Sequence, residues 1–123
     1  MKTNIIIGFA LLIAGLFSAC EKEYFKPVDS GPATGTMSFS KDVVPILNTK
    51  CSLSGCHSGS VPPNLSDSKA YGSLVDGALV DTLTPETSIL YLKITTNMPP
   101  TGKLPTGDIS RILLWIKQGA QEN

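Results

Sequence analysis

The run Cys51-Ser52-Leu53-Ser54-Gly55-Cys56-His57 sets two thiols with four residues between them and puts the chain's single imidazole directly after the second. Three such side chains this close support a short list of chemistries. The thiols could add to the two vinyl groups of a porphyrin while the imidazole turns onto its iron, as in the Cys, two residues, Cys, His run that attaches haem c. The spacer here is longer, and Ser52, Ser54 and Gly55 are small enough to bulge outward without moving Cys56 relative to His57. The thiols could equally close a Cys51–Cys56 disulfide, hold part of a zinc site with no obvious fourth ligand, or supply a Cys-His nucleophile pair. Neither the disulfide nor the zinc site explains why the only His follows the second Cys.

If His57 holds iron, the opposite face is left to Met, Lys, a terminal amine, water or nothing. Met1 belongs to the leader and Met37 to the tether side, which leaves Met98 in Asn97-Met98-Pro99-Pro100-Thr101-Gly102. That stretch reads as a stiff loop, not as the apolar helix face on which a Met fills a core gap. The His57 nitrogen turned away from iron is expected to donate to a backbone carbonyl within Val61-Pro62-Pro63, because a partner of that kind fixes the tautomer of a ligating His.

The chain of 123 residues allows one modest domain. Ten Lys+Arg against ten Asp+Glu argue against nucleic-acid binding, and one His excludes di-histidine zinc hydrolases and haem sites with two His ligands. Lys2, then the uncharged run from Ile5 to Phe17 and Ser18-Ala19, describes a secretory signal too short to span a bilayer comfortably. Leu16-Phe17-Ser18-Ala19-Cys20 looks like a bacterial lipoprotein signal, with residues 1–19 removed and Cys20 lipidated. The polar, Gly- and Pro-containing stretch 20–37 reads as a flexible tether. Residues 38–123 form the domain, whose four aromatics Phe39, Tyr71, Tyr91 and Trp115 lead us to expect a staple, a metal or a large cofactor.

Helical start signals and spacing place four helices around the motif, and no run alternates as a strand. The first lies near residues 42–48 with Asp42 as N-cap and Pro45 in the first turn. The second follows Ser66 and runs through Lys69, Ala70, Tyr71 and Leu74. The third opens with Thr84-Pro85-Glu86 as N-cap, N1 and first-turn acid. The last opens at Thr106, carries Ile109, Ile112, Leu113 and Ile116 on one stripe, and stops with Gly119 at C′.

On these residues, 39–120 resemble the small monohaem cytochrome c domains of exported bacterial proteins, of planctomycete and Bacteroidetes type. The resemblance rests on Asp42-Val43-Val44-Pro45-Ile46-Leu47, Cys51 and Cys56-His57-Ser58-Gly59. It continues through Ser88-Ile89-Leu90-Tyr91, the Met98 loop, Ile109 and Trp115-Ile116-Lys117-Gln118-Gly119-Ala120. It implies an all-α fold around one covalent haem c, with Cys51 and Cys56 as thioether anchors and His57 and Met98 as axial ligands of the iron. The expected function is one-electron carriage by a non-enzymatic, lipid-anchored, periplasm-side or outer-membrane protein that meets a redox partner. Two alternatives stay open: a haem sensor or small haem enzyme with an open iron position, and a haem-free module stapled by a disulfide.

Overall fold

The computed structural model describes residues 32–123; the leader, Cys20 and the tether up to residue 31 lie outside the described residues. Among the described residues the domain is helical and contains no strand. A π-helical turn at Phe39–Val43 runs into α1 at Val44–Lys50, followed by α2 at Ala70–Val75, a 3-10 turn at Pro85–Thr87, α3 at Ile89–Thr96 and α4 at Thr106–Lys117.

The start of the first helix lies four residues before the expected Asp42. Ser38 is the cap: its hydroxyl accepts the Lys41 N–H at 3.3 Å, while the Asp42 carboxylate accepts the Ser38 N–H at 2.8 Å. Pro45 lacks an N–H and its ring crowds the carbonyl four residues back, which favours the wide turn that precedes it. Asn123 clamps this turn from the other end of the domain, its side-chain oxygen accepting the Phe39 N–H at 2.7 Å and its carbonyl accepting the Ser40 N–H at 2.9 Å.

The expected third helix is split. Thr84 caps only the 3-10 turn, and α3 begins after Ser88, whose buried hydroxyl accepts the Asp81 N–H at 2.8 Å and donates to the Asp81 carbonyl at 3.2 Å. With its side chain drawn back to Asp81, Ser88 cannot continue the turn, so the chain re-enters helix one residue later.

The last helix ends as its sequence requires. Gly119 takes φ +94°, a region that suits glycine, and donates to the Ile116 carbonyl while Ala120 donates to that of Trp115, both at 3.0 Å. Asp108 and Arg111 pair at 2.8 Å one turn apart on α4, both partly buried.

The core forms where α4 meets α3 and the first helical segment. Val43, Leu47, Leu74, Ile112, Trp115 and Ile116 are its most deeply buried members. The Phe39 ring lies 5.1 Å from Trp115 and 5.3 Å, edge-on, from Tyr71. Trp115 Nε1–H donates to the Gln121 carbonyl at 2.9 Å and the Tyr71 hydroxyl to that of Ala120 at 3.0 Å, so both buried polar tips are satisfied. Three of the four domain aromatics thus pack on one another, and a hydrophobic centre closes from the chain's own side chains.

The contacts of the domain reach back before residue 38. Ala33 N–H donates to Ser110 Oγ at 2.7 Å, and Gln118 clasps the segment from two sides, accepting from Met37 N–H at 2.8 Å and donating to the Gly35 carbonyl at 2.7 Å. Met37, which the sequence places on the tether, is buried in the core.

Candidate haem-attachment site

Cys51 caps the C-terminus of α1, donating its N–H to the Leu47 carbonyl at 2.8 Å, and its side chain is buried. The chain then turns through Ser52 to Gly55, where Gly55 has φ +78° and open space where a Cβ would sit. Cys56 donates its N–H to Leu53 at 2.9 Å and is exposed. His57 returns to the start of the loop, its N–H donating to the Cys51 carbonyl at 3.2 Å. The six-residue return is a closed backbone turn that sets Cys51 and His57 side by side and pushes the spacer outward, as the small residues Ser52, Ser54 and Gly55 allow.

Both thiols are free. Burial pushes the Cys51 thiol up to about 11, and the neighbouring Cys56 adds to the rise. No group of three or more His, Cys, Asp or Glu side chains converges among the described residues, Cys51, Cys56 and His57 included. A zinc cage asks its ligands to converge on one ion. Thioether anchoring asks the sulfurs to stay apart, because they add to different vinyl groups.

The imidazole carries the clearest chemical information. His57 Nδ1 lies 3.0 Å from the Val61 carbonyl oxygen and 3.2 Å from that of Pro63. A carbonyl only accepts, so Nδ1 is the donor, and in the neutral ring that tautomer leaves the lone pair on Nε2. The acceptors fall within the 61–63 segment expected from the sequence. The loop holding them is itself tied to the motif, Val61 N–H donating to Cys56 at 3.0 Å and Leu65 N–H to His57 at 2.7 Å.

Met98 is positioned by main-chain bonds just past α3. Its N–H donates to the Lys93 carbonyl at 2.9 Å, beside Asn97 N–H on the same oxygen at 3.1 Å. The half-buried side chain lines a hollow of about 170 Å³ with Thr96, Asn97, Pro99, Pro100, Gly102 and Lys103. Neither cysteine nor His57 lines that hollow, which is smaller than the roughly 300–1,000 Å³ of small-molecule sites. The structure therefore joins Cys51, Cys56 and His57 through the backbone of one turn without converging their side chains, and Met98 lines a hollow that none of the three reaches.

A second hollow, open and about 540 Å³, lies beside the motif and is lined by Asn48, Ser52, Ser58, Ser66, Asp67 and Ser68. Asn48 Nδ2 donates to Asp67 Oδ1 across it. Sequence reasoning missed this hydroxyl-rich bowl because its walls come from α1, the motif and the approach to α2. Serines in a loop carry no pattern that announces a shared surface.

The donor types of the motif suit haem c. Two free thiols and an imidazole whose Nδ1 faces two carbonyl oxygens are the donor types that covalent haem uses. Leu53 and Val61, whose backbones bond to Cys56, and Leu92 on α3 leave apolar side chains about half exposed. No family model, curated protein or solved structure matches the chain.

Proposed function

We propose that the chain is an exported, lipid-anchored cytochrome that carries single electrons through one covalent haem c and catalyses no reaction of its own. The observation that carries this reading is the His57 ring, whose Nδ1 faces two carbonyl oxygens, in the same turn as two free thiols. The carbonyl grip is the outer-shell partner that orients a metal-binding imidazole and raises its basicity.

Cys51 and Cys56 would anchor the haem as thioethers, and His57 and Met98 would ligate its iron. Bound haem supplies the one-electron couple of its iron. The Met98 thioether is a soft donor that would favour ferrous iron and leave no open position for a substrate. Lys93 and Lys103 on either side of the loop would have to shed a proton and hydration to compete. Cys20 carries the lipid, and the part of the tether before the docked residues 33–37 joins it to the domain, which meets a redox partner from the periplasm-side or outer-membrane surface.

The test is a visible spectrum of the protein produced with haem-maturation machinery, in both oxidation states and under CO. A Soret band with no ready CO binding supports the reading. A colourless protein moves the disulfide-stapled module ahead, and fast CO binding at neutral pH moves the sensor or enzyme ahead.

A further inference from the structure

We infer that the outer face of α3, with the loop leading into it, rests on the interfacial layer of a phospholipid bilayer and sets how the domain stands on the membrane. The inference depends on the Cys20 anchor of the reading above and uses nothing of the haem.

Among the described residues five large apolar side chains are exposed, and three of them, Leu83, Ile89 and Leu92, fall together around the start of α3. Leu83 is 92% exposed, Ile89 50% and Leu92 48%. Ile89 and Leu92 share one face of the helix, being three residues apart. Leu83 is held at the same end of α3, because its N–H donates to Asp81 Oδ1 at 2.8 Å and the Asp81 N–H is bound by Ser88, the residue before Ile89.

Polar groups around these side chains turn inward. The Asp81 carboxylate accepts the Thr84 N–H at 3.1 Å and the Thr84 hydroxyl at 2.6 Å, and the Thr87 hydroxyl donates to the Thr84 carbonyl at 2.8 Å. On α3 itself the Thr96 hydroxyl donates to the Leu92 carbonyl at 2.6 Å. Glu86 pairs with Lys117 of α4 at 2.6 Å, and exposed Lys93 offers a stem that can lie along the apolar side chains with its ammonium among headgroups. Asp81 and Glu86 against Lys93 and Lys117 leave the face without net charge. Groups already bonded within the protein lose little on leaving water.

The path of the chain names the occupant. Residues 33–37 are pinned along α4 at Ser110 and Gln118, and Lys117 of the same helix reaches the turn between Leu83 and Ile89. Only residues 21–32 separate this strap from Cys20, a run that spans at most about 40 Å. A domain of this length is roughly 30 Å across. The anchor therefore keeps the domain within about its own width of the headgroups, where the face meets the bilayer at high effective concentration. Three side chains are too few to hold the domain there once the lipid is removed.

The test is methyl NMR of the full mature chain, lipidated at Cys20, on phosphatidylethanolamine and phosphatidylglycerol nanodiscs with and without doxyl-labelled lipid. The spin label should weaken the Leu83, Ile89 and Leu92 signals several-fold more than those of Leu53 and Val61, equally at low and high salt. Leu83→Ser combined with Leu92→Ser, both at exposed positions, should restore most of the Ile89 signal. Equal weakening of all five residues, or an Ile89 signal unmoved by the double substitution, overturns the contact while leaving the anchor standing. Dimerisation of the Cys20→Ala chain in solution that the double substitution abolishes gives the face to a second copy and overturns the contact as well. A mature chain whose mass shows no lipid on Cys20 overturns the anchor and the contact with it.

Discussion

Truncating Met98 to alanine separates a ligand from a packing residue, because the two roles predict opposite patterns in the haem-free and haem-bound protein. The loop is held by main-chain bonds from Asn97 and Met98 to Lys93, which the substitution leaves intact. Full burial of a Met side chain contributes about 1.5–3 kcal/mol, so a half-buried one contributes about 1. Met98→Ala should therefore lower the apoprotein's stability by about 1 kcal/mol, against about 2–5 for a Met in a packed core. In the holoprotein the effect is on iron. A ligand preferring ferrous over ferric iron by about a hundredfold raises the potential by about 120 mV, at 59 mV per tenfold for one electron. The variant should lose a shift of that order, lose any weak sulfur-to-iron band in the near infrared, and bind CO. Urea unfolding of the apoprotein and a redox titration of the holoprotein are the assays. Unchanged potential and spectrum combined with an apoprotein loss above about 3 kcal/mol would refute the ligand assignment.

Tyr71→Phe keeps the edge-on contact with Phe39 but strands the carbonyl of buried Ala120, and should cost about 1–2 kcal/mol by urea unfolding. An unchanged midpoint would mean that this bond contributes nothing. Asp81 is held below its ordinary value by the Thr84 hydroxyl and then by the Thr84 and Leu83 N–H groups, and Glu86 likewise by Lys117 and then by its own N–H. Carboxylates depressed in the folded state stabilise it above their unfolded value of about 4 and cease to do so as pH falls through the folded value. Stability should thus be level above about pH 5 and decline below about 4, less steeply in Asp81→Asn; an identical acid profile in that variant would contradict the assignment. Cys20→Ala should release soluble holoprotein with an unaltered spectrum, whereas retention on membranes after a salt wash would misplace the anchor.

What could be read from the sequence followed how local the determinant was. The last helix was legible because its apolar stripe and the Gly119 stop lie within one segment. The split before α3 was not, since it depends on Ser88 reaching back to Asp81 across a loop. Asp42 is a strong cap type, yet Ser38 takes that place once Asn123 clamps the turn, a contact no window of sequence contains. The docking of residues 33–37 rests on Gln118 and Ser110 bonding to backbone, which leaves no hydrophobic signature. Three of the four domain aromatics meet through Phe39, a tertiary contact that spacing alone does not show. At the site, adjacency made Cys56 and His57 readable, and the short return to residues 61–63 made the Nδ1 partner readable. The relation of Met98 to His57 spans two helices and was inferred only by counting ligands.

The central claim is tested most directly by the intact mass of the matured chain after acid and organic extraction, read together with its free thiols. Covalent attachment predicts the apoprotein mass plus one haem, with Cys51 and Cys56 both closed to alkylation. A mass equal to the apoprotein's with both thiols reactive, or lower by the two hydrogens of a Cys51–Cys56 disulfide, would contradict it.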